Sequence, residues 1–258
     1  PVVFITGATG GIGQALAQAY ASRGCQLVLA GRQVDRLEGV RASLGLAAGE
    51  VLVTELDVTS LESIANAVQA AIDRFGRIDV LVNNAGIAIS APLSKGEGLA
   101  QRHMDVNYHG PRRLVEAVLP AMLAAGSGQV VQIASSAGLQ GYAYTSAYCA
   151  SKHALLGYTR AAAAELAKKG IAFHSIAPHF VDSPMTDASV ARIQTTTGKG
   201  SDEARAALAA MNPDGVLVPA AQVAELAAGQ LHSRRSADLW ELTGRHSHQV
   251  EAGFDLDS

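Results

Sequence analysis

Ser135, Tyr148 and Lys152 are residues whose types and spacing suit proton transfer to or from an oxygen atom. Tyr148 and Lys152 are four apart, and on a helix such positions share one face, with Cβ atoms roughly 5–6 Å apart. A free phenol has a pKa of about 10, too high for easy exchange at neutral pH, and a fixed ammonium beside it favours the phenolate and lowers that value. The pair reads as a tuned general acid/base. Ser135, thirteen residues before Tyr148, is placed to donate a hydrogen bond to a carbonyl oxygen while the phenol protonates it. Together these groups would reduce a ketone or oxidise a secondary alcohol, given a hydride carrier alongside.

The frame for such a site is a series of alternating strands and helices. Val2 to Ile5 is a short apolar run that breaks at Thr6-Gly7-Ala8-Thr9-Gly10-Gly11-Ile12-Gly13, after which Gln14 to Arg23 has helical periodicity. Strand, glycine turn and helix bring backbone close to a pyrophosphate at the positive end of the helix. An ordinary turn explains the same glycines, and the spacing Gly7-x3-Gly11-x-Gly13 differs from GxGxxG. A second strand, Gln26 to Ala30, ends in Gly31-Arg32, where an acidic side chain would hold the adenine ribose and a basic one a 2′-phosphate. Arg32 therefore favours NADP(H) over NAD(H); its bland reading is a solvated arginine opening the next helix.

Val51 to Leu56 is the third strand, and Asp57 after it either caps the helix starting near Ser60 or holds the adenine amino group. The fourth strand, Ile78 to Val82, runs into Asn83-Asn84-Ala85-Gly86, residues that suit a ligand edge or a plain turn. A long helical stretch, Leu99 to Ala125, contains Asn107, which needs polar partners: backbone carbonyls, or a water relaying protons to Lys152. Gln129 to Ala134 is the fifth strand, the Tyr148 helix runs to about Lys169 before Gly170, and Ile171 to Ala177 is the sixth strand. Alternation of this kind implies an α/β fold with a doubly wound parallel sheet and ligands at its C-terminal edge. No repeat or linker divides the chain, so residues 1–258 are expected to form a single domain.

Composition sets bounds on the function. With 258 residues and 48 % apolar residues the chain has material for a sizeable core. The net charge of −3 gives no bulk attraction to nucleic acid or an anionic membrane. Cys25 and Cys149 fit neither a metal spacing nor a disulfide framework, and no long apolar run or basic leader is present, so a cytoplasmic protein without a metal is expected.

The TGATGGIG turn, NNAG, Asn107, Ser135 and the Tyr148-x3-Lys152 pair, in this order and spacing, resemble the short-chain dehydrogenase/reductase family, in its subgroup of chains near this length. The likeness covers nearly the whole chain. It implies a Rossmann-like seven-stranded parallel sheet in the order 3-2-1-4-5-6-7 and hydride transfer from a nicotinamide. It also implies a tetrad of Asn107, Ser135, Tyr148 and Lys152, with Lys152 also bonding the nicotinamide ribose. By the same resemblance Gly7, Thr9, Gly11, Ile12 and Gly13 hold the pyrophosphate, Asp57 contacts the adenine, and Asn84, Ala85, Gly86 and Pro178 lie along the nicotinamide half. The resemblance further implies a homodimer or homotetramer and a substrate lid at 184–213, whose TTTGKGSDE stretch reads as mobile.

Two departures stand out. The family's Pro-Gly after the sixth strand is Pro178-His179 here, and the end of the chain carries RHSHQVEAG after Thr243-Gly244. His179 would shape specificity or stand in solvent; His246 and His248 would share a face of a polar strand. Gln140, Tyr142, His179, Phe180 and Met185 are the expected pocket wall, and the lack of a basic cluster favours a small neutral carbonyl or alcohol. Gly126 and Ala164 occupy places that are basic in reductases of carrier-protein substrates, which weighs against such a substrate. A cofactor-binding sensor or scaffold without chemistry is the alternative, against which the intact tetrad argues. Halohydrin dehalogenation is a third reading, disfavoured because those relatives lose the lysine and the nucleotide turn.

Overall fold

The computed structural model describes every residue except Arg234, Asp257 and Ser258. The first half alternates regularly: β1 (Val2–Thr6), α1 (Gly11–Ala21), β2 (Gln26–Gly31), α2 (Val34–Ser43), β3 (Val51–Glu55), α3 (Leu61–Phe75) and β4 (Val80–Asn83). There follow α4 (Leu99–Met104), α5 (Gly110–Ala125), β5 (Gly128–Ile133), α6 (Ser146–Leu166) and β6 (Ile171–Pro178). The last third holds β7 (Val181–Asp182), α7 (Pro184–Thr197), α8 (Ser201–Ala209), β8 (Val218–Pro219), α9 (Ala220–Gly229), β9 (Arg235–Ser236), β10 (Asp238–Leu242), β11 (Ser247–Glu251) and β12 (Phe254–Asp255).

The inner strands are continuous runs of Val, Ile, Leu and Phe, which only a sheet covered on both faces can bury. One face packs Val3, Ile5, Leu27 and Leu29 against Leu16, Tyr20, Leu37 and Val223. The other packs Phe4, Val28, Leu81 and Phe173 against Ile64, Val68, Leu114 and Ala163. The strand order is β3-β2-β1-β4-β5-β6-β10-β11, so the chain winds outward from β1 and then returns to β4 on its other side. That reversal opens a crevice above the C-terminal ends of β1 and β4.

The expected seven parallel strands are present, with β10 parallel to β6, and an eighth strand extends them. β11 runs antiparallel to β10, pairing His248 with Glu241, and is exposed along its length. The hairpin is fastened by Asp214, whose Oδ2 accepts from Thr243 Oγ1 (2.7 Å) and the Arg245 amide (2.8 Å). These donors hold the Asp214 carboxyl well below the usual carboxylate range. His246 does not share a strand face with His248: it lies in the turn, its Nδ1 3.2 Å from Asp214, because the strand begins only at Ser247.

The expected long helix over Leu99 to Ala125 is continuous but carries a π-helical turn, Asp105–His109, between α4 and α5. The widened turn places Asn107 in the interior. Residues 184–213, read as a mobile polar lid, contain two helices, packed on each other through Val190, Ala204 and Leu208. The three consecutive threonines fit the end of α7 because each hydroxyl bonds the carbonyl four residues back, Ala191, Arg192 and Ile193 in turn. Among the described residues no helix is long and apolar enough to cross a membrane.

Candidate active site

A cleft of about 1850 Å³ runs along the C-terminal sheet edge. Its floor at one end is the glycine turn. Gly7 has φ +64°, and a Cβ there would lie 2.9 Å from Ala85 Cα. A Cβ on Gly13 would lie 2.2 Å from the Gly7 carbonyl oxygen, so α1 starts as close to the turn as backbone permits. The helix is preceded by Gly10 and has no acidic residue in its first turn, which leaves its positive end facing the cleft. Asn84 ties the two loops together: its Nδ2 donates to the carbonyls of Thr6 (2.9 Å) and Gly7 (3.1 Å). Thr6 Oγ1 accepts from the Asn84 and Ala85 amides, both at 3.0 Å.

Thr9, Gly11, Ile12, Gly86, Pro178, Arg32 and Asp57 also line this cleft. The cap of α3 is Ser60, whose Oγ accepts from the Ser63 amide; Asp57 instead closes a turn, its Oδ1 accepting from the Thr59 amide (2.9 Å) and hydroxyl (2.7 Å). Those bonds, and to a lesser degree the nearby Arg32 charge, hold the Asp57 carboxyl below its ordinary value.

At the other end Ser135 follows β5, and Tyr148 and Lys152 project from adjacent turns of α6 into the same cleft. Lys152 Nζ donates to the Ile133 carbonyl at 2.8 Å and stands 6.0 Å from the centre of the Tyr148 ring. Burial lowers the Lys152 ammonium to about 8, a value at which it can exchange protons close to neutrality. The expected lowering of the Tyr148 phenol by this cation is not what the geometry gives. Burial raises it, and the hydrogen bond with Ser135 works the other way. The phenol is thus held protonated, in the form that can give its proton to a carbonyl oxygen.

Asn107 is fully buried behind this pair and does not line the cleft. Its Oδ1 accepts from the Ile87 amide (2.9 Å), and its Nδ2 donates to the Ile87 carbonyl (2.9 Å) and to Ser151 Oγ (3.0 Å). Ser151 was not singled out from sequence, although its place three residues after Tyr148 on the same helix was a usable signal. His103 was missed too: its Nε2 accepts from the Ile89 amide (3.0 Å) and its ring meets that of Tyr148 edge-on at 6.0 Å.

Tyr142, His179, Phe180 and Met185 line the substrate end of the cleft. Gln140 does not; it stands behind Tyr142 and donates to its hydroxyl at 2.6 Å. Tyr142 Oη in turn donates to Ser136 Oγ (2.9 Å) and faces His179 Nδ1 (3.3 Å), while His179 Nε2 lies 2.7 Å from Glu241 Oε1. Neither Ser136 nor Glu241 was foreseen; Glu241, the lone charge within Leu239-Trp240-Glu241-Leu242, was the visible signal for the latter.

The comparisons agree with this architecture. The profile of short chain dehydrogenases matches residues 1–194. A galactitol 2-dehydrogenase of Agrobacterium fabrum is 39 % identical over 216 residues, covering 83 % of each chain. A dehydrogenase/reductase SDR family protein 7-like of Anopheles gambiae is 36 % identical over 95 % of this chain and 82 % of its own length. Among solved structures, an actinorhodin polyketide ketoreductase variant with NADPH superimposes with a TM-score of 0.88 at 31 % identity, covering 94 % of this chain and 95 % of that one.

Proposed function

Because this chain belongs to the short-chain dehydrogenase/reductase family and is an oxidoreductase of CH–OH groups that uses a nicotinamide dinucleotide, we propose that it is an NADP(H)-preferring enzyme interconverting a secondary alcohol and a ketone. The observation that carries this reading is one continuous cleft with an unblocked helix N-terminus at one end and Ser135, Tyr148 and Lys152 at the other. Typical small-molecule sites have about 300–1,000 Å³. The larger cleft here has room for a dinucleotide and a substrate together.

The residues fit the cofactor. The Gly7 and Gly13 approaches form a cradle that any side chain would fill, and Arg32, with no acid at the end of β2, suits a 2′-phosphate. When bound, the nicotinamide supplies the hydride. In the reduction Ser135 donates a hydrogen bond to the carbonyl oxygen, and Tyr148 gives that oxygen its proton as the carbon is reduced. Lys152 returns a proton towards the phenol and would hold the ribose of the bound nucleotide. Asn107 acts as an anchor: it fixes Ile87 and Ser151 and so the wall behind Tyr148 and Lys152. In this reading residues 1–258 form one nucleotide-binding domain, with 184–213 as a helical lid over the substrate.

The test is consumption of NADPH and NADH, followed by absorbance, against neutral ketones, diketones and keto esters, with Tyr148→Phe as the control. Turnover with NADPH that falls by about 10²-fold or more in the variant, while cofactor affinity is kept, supports the proposal. Tight nucleotide binding with no turnover of any carbonyl would replace it with the sensor reading.

A further inference from the structure

The substrate end of the cleft carries large apolar side chains, several of them open to solvent. Phe180, Met185, Ile193, Leu208 and Met211 line it from the segment after β6 and from the lid, and Tyr144 lines it from the segment before α6. Tyr144 is 65 % exposed, Met185 44 % and Met211 48 %. The tyrosine is fixed there by the loop after β4, whose Ala91 amide donates to the Tyr144 carbonyl at 2.9 Å. Single exposed apolar side chains are ordinary on a protein surface, but several on the wall of one cleft mark a ligand groove. Methionine suits such a wall because its unbranched, polarizable side chain adapts to the shape it meets.

This wall begins beside the reacting groups. Burial is the main cause of the raised Tyr148 phenol, and Tyr142 adds to it, so Tyr142 lies within electrostatic reach of the phenol. The Tyr142 ring meets the Phe180 ring edge-on at 6.3 Å, and Phe180 and Ile193 pack on Val190, Ala204 and Leu208. An apolar path therefore leads from Tyr148 to the inner side of the lid.

The polar groups along this path are engaged within the protein. Tyr142 Oη receives Gln140 Nε2 (2.6 Å), donates to Ser136 Oγ (2.9 Å) and faces His179 Nδ1 (3.3 Å), so the residue offers the cleft its ring. Ser189, Thr196 and Thr197 give their hydroxyl hydrogens to the carbonyls of Met185, Arg192 and Ile193, and Thr145 gives its own to the Tyr142 carbonyl. Arg192, the charged residue that α7 contributes to the cleft, donates Nη1 to the Ser90 carbonyl at 2.7 Å. A hydroxyl-rich ligand would give up water there for few hydrogen bonds in return, whereas an apolar group gains by leaving water.

We propose that this wall receives an apolar substituent of the reacting carbonyl compound, so that the substrate class is ketones carrying a medium-chain alkyl or an aryl group, with the corresponding secondary alcohols, rather than ketoses and polyols. This rests on the ketone–alcohol reading above.

The experiment measures kcat/KM for 2-butanone, 2-hexanone, 2-octanone and dihydroxyacetone, with NADPH and with NADH, in the wild-type protein and in the double variant Met185→Gln, Met211→Gln. Full burial of a methylene is worth about fourfold, so a half-open wall should give about twofold for each one added and about tenfold or more from 2-butanone to 2-octanone, through KM. Dihydroxyacetone should lie about tenfold or more below 2-octanone. In the variant the rise along the series should flatten to about threefold overall, the loss growing with chain length. A flat series in the wild type, or better use of dihydroxyacetone, overturns the proposal and leaves the reductase reading standing. A loss in the variant that is equal at every chain length, as a structural role would give, overturns it too, as does a rise that the variant leaves unchanged. Light scattering of both proteins checks the other occupant: an oligomer that falls apart in the variant gives the patch to a second copy of the chain and overturns the proposal. No turnover of any ketone with either nucleotide overturns both readings.

Discussion

Lys152 gives its hydrogen bond to the Ile133 backbone carbonyl, at 2.8 Å, from a buried position on the cleft wall beside Tyr148. An ammonium is thereby tied to the strand that ends at Ser135, and burial brings it down from 10.5 to about 8. The value in the fold lies below that of the unfolded chain. Between these values the unfolded chain therefore holds more protons, and this residue's share of stability rises with pH. Below pH 8 its burial is a cost. Lys152→Met should be the more stable protein at pH 7, and its advantage over wild type should shrink by about 2–3 kcal/mol by pH 10. Urea unfolding of both proteins at the two pH values measures this; an advantage that does not change with pH would mean that Lys152 keeps its ordinary proton affinity.

Asn107 replaces, with one side chain, the backbone partners that Ile87 would have in a strand. Asn107→Ala leaves the Ile87 amide and carbonyl unpaired in a half-buried loop and should cost about 2–4 kcal/mol, since each orphaned group costs about 1–3 kcal/mol. Asn107→Asp keeps the acceptor for the amide but sets an oxygen against the Ile87 carbonyl and should be no better. Thermal unfolding resolves losses of this size. A stable Asn107→Ala protein with impaired turnover would assign the residue to proton relay alone.

How far the sequence could be read depended on whether the signal was local. The inner strands were legible because both-face burial demands unbroken apolar runs, and the glycine turn because its spacing is dictated by backbone contact. The π turn at Asn107 left no such mark, because Met104 to Gly110 satisfies an ordinary helix. A polar strand after Gly244 was legible, but not its start or its partner, because an exposed edge strand such as Ser247-His248-Gln249-Val250-Glu251 has no apolar alternation to fix them. The Tyr148 pKa went the wrong way because spacing on a helix gives the distance between side chains but not the desolvation around them. The His179–Glu241 contact joins residues 62 apart in the chain, so His179 read as shaping specificity or standing in solvent, and Glu241 was not singled out.

Two glycines of the turn, Gly10 and Gly13, should behave very differently. A methyl at Gly13 meets the Gly7 carbonyl and the Ala8 backbone at 2.2 and 2.7 Å, contacts that only a backbone shift can relieve. A methyl at Gly10 meets nothing closer than 3.5 Å. Gly13→Ala should lose about 1–3 kcal/mol or more, and with it nucleotide binding, whereas Gly10→Ala should stay within about 0.5 kcal/mol of wild type. Paired denaturation and NADPH titration of the two variants would separate them. Equal behaviour would show that the turn relaxes to admit a side chain.

Cofactor choice turns on Arg32. It is exposed, lines the cleft at the end of β2, and stands near enough to Asp57 to depress its carboxyl. The other nearby arginine, Arg36, is engaged with Gln33 Oε1 (2.9 Å) and the Thr9 carbonyl (3.4 Å). Arg32 is therefore the cation with which a 2′-phosphate would pair. A charge-assisted hydrogen bond is worth about 1.5–3 kcal/mol when sheltered and less in solvent, so Arg32→Ala should weaken NADPH about tenfold. NADH, which has no phosphate there, should change by less than about threefold. The NADPH affinity of the wild type should also fall with added salt more steeply than that of the variant, because an exposed ion pair is screened. Fluorescence titration of both nucleotides at two salt concentrations measures all three quantities. Parallel losses for NADPH and NADH would make Arg32 a prop of the adenine pocket and remove the basis for an NADP(H) preference.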